Sequence, residues 1–539
     1  MQKTRLWLMA ASGIRASHKS LLLHMIAWSA LLLWLLLSLD WRPLKSPDEA
    51  RYVTIAWEMW QQQHYGLPTL NSLPFFHKPP LFYWLTGISM QACGQSLFCI
   101  RIVPLCAALL TCWALFYFLK RFGSNKVALY SVCLLVTMPA FYYAAQFANP
   151  DILITTCTTL TILAAATALF QYEDKRTGRG WLIGAYVMAA FGLLAKGLIG
   201  LILPAIVLLA WMLLRRRFYA LWWLFSVRGL CLFLLIGLPW FVYIGMQFDG
   251  FWHYFFIHHH FERYVDASFN NKQSFWFYFG LLPLVCLPWS LLILKFRLRH
   301  WQRLSAREQD IACLFVVWVI GILCFFSLPP SKPPGYLLPV IPAFAGLLTL
   351  VGMQYWPAQL TGRWFPGMLL IAGLVCLLCI NITQTHDANK SNTLVMQYLK
   401  KQVLPDDKVY MLGKYFYELT MALNLKQPVA VVEPWNALNV DRHDNWRREL
   451  HEAGQFAQQP LNEILVLPTE VDSSICRQQA EHVWVIGHQA PVEASMLKAL
   501  QPVSKIQGFF IWKLAKASRI HPCANTNKGT GAQKQQMAD

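Results

Sequence analysis

Apolar runs long enough to cross a bilayer alternate with short polar stretches over the first two thirds of the chain. Because roughly 20 apolar residues let a helix span, runs at 20–39, 98–119, 127–147, 152–171, 181–195, 198–214, 229–246, 274–294, 311–327, 337–354 and 364–383 predict about eleven spans. The stretches between them are of two kinds. One kind is basic: Lys120-Arg121 with Lys126, Lys175-Arg176 with Arg179, Arg215-Arg216-Arg217 with Arg228, and Lys295 through Arg307. The other is mixed and polar: Ser46 through Tyr52, His77-Lys78-Pro79-Pro80, Asn149-Pro150-Asp151, Ala195-Lys196-Gly197, His258 through Arg263, and Ser331 through Tyr336. Basic connectors stay on the cytoplasmic side of a membrane. With the N-terminus also cytoplasmic, every basic connector falls inside and every polar cluster outside. The pair 181–214, with Lys196 between two short halves, reads either as two spans or as one bent hairpin.

The first outer loop, residues 40–97, is rich in Trp and Tyr, which favour the headgroup region, so it is expected to lie on the membrane as interfacial helices. Its apolar segment 81–94 is too short to span, and counting it as a span would turn the later basic groups outward. After residue 384 the pattern changes. Short β-rich runs at 428–433, 463–467, 482–486 and 509–513 alternate with helical stretches at 392–402 and 441–457, predicting a small α/β domain over 385–523 outside the membrane. The tail 524–539 is polar and reads as disordered.

Composition agrees with this division. The chain has 539 residues, 56% hydrophobic and only 14% charged, against roughly 25% charged in soluble domains. A net charge of +19 would suggest nucleic acid in a soluble protein, but the excess sits in connectors, where orientation accounts for it. The run 20–39 is too long for a signal-peptide core and reads as a retained first span. Most of the 14 cysteines lie in apolar segments as small hydrophobes. Cys476 and Cys523 lie in the polar C-terminal region and can pair there if it faces an oxidising compartment.

The outer clusters carry the candidate chemistry. Ser46-Pro47-Asp48-Glu49 has the spacing of a capping box, which would make the acids mere helix starters. Lying directly after a span, either acid can also take a proton from an attacking hydroxyl. Asn149-Pro150-Asp151 has the same two readings. Lys78, Lys196, Arg263 and Lys332 are cations on one face and suit a departing phosphate, although a lone Lys such as Lys196 can also simply snorkel to the interface. His77 and one of His258, His259 and His260, with a carboxylate from another loop, can hold zinc or manganese, or the histidines can be solvated at the interface.

In this order the clusters resemble the polyprenyl-phosphate-sugar-dependent glycosyltransferases of the GT-C architecture, above all the bacterial lipid A 4-amino-4-deoxy-L-arabinose transferases and the protein O-mannosyltransferases. The likeness covers residues 20–350. A Pro-Asp-Glu-x-Arg-Tyr motif matches Asp48 and Glu49 with Arg51 and Tyr52, and Glu-Lys-Pro matches His77-Lys78-Pro79. The second acid matches Asp151, Lys-Gly matches Lys196-Gly197, a Phe-Trp-His-Tyr-Phe-Phe run leads to His260 and Arg263, and Lys-x-Pro-x-Tyr matches Lys332, Pro334 and Tyr336.

The resemblance implies a polytopic α-helical enzyme of the bacterial inner membrane. It would move a sugar from undecaprenyl phosphate to a periplasmic acceptor, lipid A, another envelope glycolipid or protein, by inverting displacement. Asp48, Glu49 and Asp151 would be the catalytic acids. Arg51, Lys78, Lys196, Arg263, Lys332 and Tyr336 would hold the donor. The family's zinc ligands map to His77 and His260. Two departures matter: His77 and His259 stand where the family has Glu, which leaves open whether a metal binds, and two spans that usually precede the soluble domain are absent. A lipid-linked sugar flippase would also have many spans, but would more often show the inverted repeats and broken midplane helices that this sequence lacks.

Overall fold

The computed structural model describes residues 25–262, 271–354, 362, 364–390, 392–437, 444–458, 460–489 and 495–515. The apolar runs become helices where the sequence places them, and the chain is a multi-pass membrane protein. Five described helices are long and apolar enough to cross a bilayer: Leu97–Phe122, Pro150–Glu173, Ala306–Ser327, Pro334–Gly352 and Trp364–Ala388. Two broken pairs, bent by 57° and 112°, raise this to seven by length. The expected count of eleven is therefore not reached by length alone, because prolines and glycines cut several runs into shorter helices. Run 127–147 becomes Asn125–Val136 and Pro139–Ala144, and run 229–246 becomes Val227–Gly237 and Pro239–Gln247.

Helix Pro150–Glu173 is the axis, with 94% of its apolar window buried inside the protein. Its threonines supply polar contacts that lipid cannot: the Thr156 hydroxyl donates to the Ala107 carbonyl at 2.8 Å and meets Thr111 Oγ1 at 2.9 Å, tying it to helix Leu97–Phe122. Segment 181–214 is a helical hairpin of Arg179–Lys196 and Ile199–Leu214. Gly197, at φ 78°, makes the turn in a region that a side chain would strain. A Cβ on Gly200 would collide with the Gly192 backbone, so the two helices touch at their glycines.

The two kinds of polar stretch collect at opposite ends. Among the basic connectors, Arg217 and Arg307 share Glu173 at 2.8 and 3.2 Å, and Arg307 also reaches Asp174 at 2.8 Å. At the other end lies the loop 40–97. Its helix Asp48–Gln61 packs on Leu81–Cys93 and on a small hairpin, β1 (Thr69–Leu70) with β2 (Leu73–Pro74). Asn71 and Ser72, both at positive φ, make the turn, and the buried Glu58 accepts from their N–H groups at 2.8 and 3.0 Å. A disulfide joins Cys93, near the end of this loop, to Cys99 in the first turn of helix Leu97–Phe122.

A six-stranded sheet covers the loop. β3 (Lys408–Leu412), β4 (Ala430–Val432), β5 (Leu465–Val466), β6 (His482–Gly487), β7 (Ser504–Ile506) and β8 (Phe509–Ala515) run in the order β5-β4-β3-β6-β8-β7. The first four of that order pair in parallel, and β8 and β7 antiparallel. The four expected strands are present, and β3 and β7 are additional. Helix Trp364–Lys390 runs past residue 384 and leads into the segment that carries the sheet. Asn71 clasps this domain by exchanging two 2.8 Å hydrogen bonds with the Val429 backbone. Cys476 is in a disulfide; Cys523 and the tail 524–539 lie outside the described residues.

Candidate active site

The capping box at Ser46 does not form. Helix Asp48–Gln61 starts after Pro47 with no side-chain cap, and the two acids at its start diverge. Glu49 turns inward, fully buried. Its carboxylate accepts from Arg101 Nε and Nη2 at 3.0 and 2.9 Å and from the Lys45 and Ala148 N–H groups at 3.1 and 2.9 Å, with Arg42 at 3.5 Å. Burial alone would raise its pKa, but these cations and donors hold it below the ordinary value. With four donors on its two oxygens, the Glu49 carboxylate has no lone pair left for a substrate. Asp48 is its opposite: it is half-buried and makes no hydrogen bond or ion pair among the described residues. Burial raises its pKa, reinforced by Asp151 and Glu449 and opposed by Arg51 and Lys45. A free carboxylate with raised basicity suits a general base.

Asp151 stands in the first turn of Pro150–Glu173, where Asn149 is the cap and accepts the Asp151 N–H at 3.0 Å. Its carboxylate pairs with Lys196, 45 residues later. The Lys196 ammonium lies 4.6 Å from the Tyr336 ring centroid, and a Cβ on Gly335 would collide with the Asp151 carboxylate. Three distant clusters therefore meet: Asn149-Pro150-Asp151, Lys196-Gly197 and Gly335-Tyr336. The loop carrying Tyr336 is held by Tyr278, whose hydroxyl donates to the Pro333 carbonyl at 2.9 Å. Lys332 is buried with its ammonium on the Pro329 carbonyl, so it braces this loop.

The third group joins the loop to the sheet domain. His77 Nε2 lies 3.2 Å and His259 Nε2 3.5 Å from Glu452 Oε2. Glu452 stands on helix Trp446–Gly454, where it also accepts from Arg448 Nε at 2.6 Å and the Tyr254 hydroxyl at 2.9 Å. Against its burial, hydrogen bonds from His258, His259 and His77 hold its carboxyl well below the usual range. Burial keeps His77 below the ordinary histidine value, despite Glu452 beside it. Donor atoms of His77, His259 and Glu452 all lie within 4.8 Å of one another. His259 stands beside His77 in this group, because the π-helical stretch His253–Glu262 turns its side chain inward. The His260 side chain and Arg263 lie outside the described residues.

The chain has relatives consistent with this geometry. The family model for dolichyl-phosphate-mannose-protein mannosyltransferase matches residues 77–243. The undecaprenyl phosphate-alpha-4-amino-4-deoxy-L-arabinose arabinosyl transferase of Erwinia tasmaniensis is 30% identical over 60% of this chain and 58% of its own length. A second such transferase, from Pseudomonas fluorescens, is 31% identical over 471 residues, 86% of this chain and 78% of its own. The chain belongs to this arabinosyl transferase family. The match spans 58 to 66% of the length of the first four such relatives. In fold, the chain is similar to ArnT from Cupriavidus metallidurans, solved bound to undecaprenyl phosphate, with TM-score 0.76 and 20% identity over 91% of this chain and 97% of that one.

Two of the family-matched cations have local partners. Arg51 pairs with Glu449 of helix Trp446–Gly454, and Lys78 is half-buried next to His77. Arg101, Glu449 and Glu452 also line or brace the site. Arg101 lies in an apolar stretch, where a lone arginine is itself a flag. Glu449 and Glu452 lie 300 residues beyond Asp151 in an ordinary charged helix, and nothing local marks them.

Proposed function

We propose that the protein transfers a sugar from undecaprenyl phosphate to a hydroxyl of an acceptor at the periplasmic face of the inner membrane, with lipid A as the acceptor and aminoarabinose as the sugar. The observation that carries this is an unpaired carboxylate, Asp48, near enough to the Asp151–Lys196–Tyr336 cluster for the Asp151 charge to raise its pKa. Asp48 takes the proton of the acceptor hydroxyl, and the oxygen forms its bond to the anomeric carbon. The bond from that carbon to the phosphate oxygen breaks, and the electron pair leaves with undecaprenyl phosphate. Lys196, held by Asp151, and Arg51 face the charge that builds on the phosphate. The Cys93–Cys99 disulfide joins the loop that bears Asp48 to the first turn of the next helix and supports an oxidising, periplasmic location for that end.

His77, His259 and Glu452 fit a divalent metal. Two imidazole nitrogens and one carboxylate oxygen form the donor set that zinc takes in catalytic sites. Bound there, zinc would act as a Lewis acid for anionic oxygens. Purified protein is expected to carry stoichiometric zinc by inductively coupled plasma mass spectrometry, and His77→Ala and Glu452→Gln to lose it. Equal zinc in all three would remove these residues as ligands.

Mass spectrometry of lipid A and envelope glycans from cells with and without the protein tests the whole reading. Loss of the aminoarabinose increment from lipid A is expected. A missing hexose on periplasmic proteins would instead favour the mannosyltransferase reading that the match over residues 77–243 supports, and an unchanged envelope would end both.

A further inference from the structure

Asp48 and Arg51 stand three residues apart on one helix, a spacing at which an acid and a base pair across a helical turn. They do not pair here. Arg51 Nη1 is bound by Glu449, whose other carboxylate oxygen accepts from the Tyr417 hydroxyl at 2.6 Å. Arg51 is also stacked over Tyr52, 5.0 Å from the ring centroid. Glu449 is buried and belongs to the sheet domain. Its helix is anchored one turn further on, where Glu452 meets His77 and His259, so the Glu449 carboxylate cannot follow Arg51 if the latter swings away. The result is an arginine drawn off its own helix, and an aspartate left without a partner.

We propose that Glu449 is a positioning residue for the transfer reaction: by holding the Arg51 guanidinium on the sheet domain, it keeps Asp48 unpaired and available to the acceptor's proton. The inference rests on the function proposed above and extends it, because it makes the sheet domain a working part of the active site. Four charged groups act on Asp48: Arg51 and Lys45 lower its pKa, while Asp151 and Glu449 raise it. Removing the Glu449 charge shifts this balance downward twice, by losing one repulsion and by releasing Arg51 to pair with Asp48. A base active when deprotonated then titrates at lower pH, and once paired it is a weaker base.

The test compares full-length wild type with Glu449→Gln, Glu449→Asp and the double variant Glu449→Gln/Arg51→Gln. Undecaprenyl phosphate-linked aminoarabinose is the donor and lipid A the acceptor. For Glu449→Gln the acid limb of the kcat/KM profile is expected to move to lower pH, and the plateau to fall by about tenfold or more, within the range that a general base contributes. Glu449→Asp should recover part of the loss. The double variant should return the limb toward wild type, even where donor KM rises. A limb that stays in place in Glu449→Gln overturns the proposal, whether the rate is unchanged or falls evenly at all pH values; the latter would mean a structural role. Titrating the Asp48 carboxyl by carbon-13 NMR, assigned with Asp48→Asn, gives a second reading that needs no turnover. If wild type fails to transfer, the proposed function falls. An Asp48 titration that stays the same in Glu449→Gln sinks the Glu449 inference by itself.

Discussion

Asp48→Asn is expected to lower sugar transfer by about 10²–10⁴-fold, the span that a positioned general base supplies, while binding of undecaprenyl phosphate stays close to wild type. The asparagine keeps the shape of the side chain, and Asp48 has no structural partner among the described residues to lose, so folding is not the reason for the loss. The measurements are initial rates with saturating donor, and donor affinity by ligand-induced thermal shift. Activity within a few fold of wild type would show that another group removes the proton. Glu49→Gln cannot serve as a substitute for this experiment, because Glu49 is enclosed by Arg101 and Arg42 and its change reports on folding.

Arg101→Met is expected to give the largest loss of stability, about 3–5 kcal/mol, as when one partner of a buried ion pair is removed and the other charge is stranded. The guanidinium is fully buried, and besides Glu49 it donates to the Leu39, Arg42 and Pro43 carbonyls at 2.7, 2.9 and 3.1 Å. It therefore ties the end of the first apolar segment to the start of the Asp48 helix. Thermal unfolding in detergent should show the loss, and Arg101→Lys should recover only a part of it, since an ammonium cannot serve the same fork of acceptors. The pH dependence has a definite sign. Glu49 titrates lower when folded than its ordinary value of 4.5, so its contribution is present above that value and is lost as pH falls through the folded pKa. Without Arg101 that acid-side loss should shrink. A variant as stable as wild type would contradict the role given to this ion pair.

The sheet domain turns out to be more than an appendage. Helix Trp446–Gly454 sends Glu449 to Arg51 and Glu452 to His77 and His259, so both contacts cross from the C-terminal domain to the membrane-bound part. The family pattern places an acid at position 77; here the acid comes from Glu452 and the loop supplies an imidazole.

That Asp151, Lys196 and Tyr336 lie together at one end of the helices was legible from the sequence, because a charged residue in an apolar chain must lie where water or a partner can satisfy it. The alternation of basic and polar stretches placed them at one end for the same reason. The division of labour between Asp48 and Glu49 was not legible, since two adjacent acids look alike until the direction of each side chain is known. That His259 faces His77 depended on the phase of a π-helical stretch, which three consecutive histidines do not reveal.

By itself, then, the sequence determined which segments are apolar enough for lipid, which end collects the reactive groups and which family the motifs match. These follow from solvation and local pattern, and both are properties of short stretches. Only the tertiary structure decided which acid is free, which arginine is spoken for and where the third candidate metal ligand comes from. Those depend on contacts between residues 45 to nearly 400 positions apart, and the energy of a contact is set by distance in space, which no local pattern encodes.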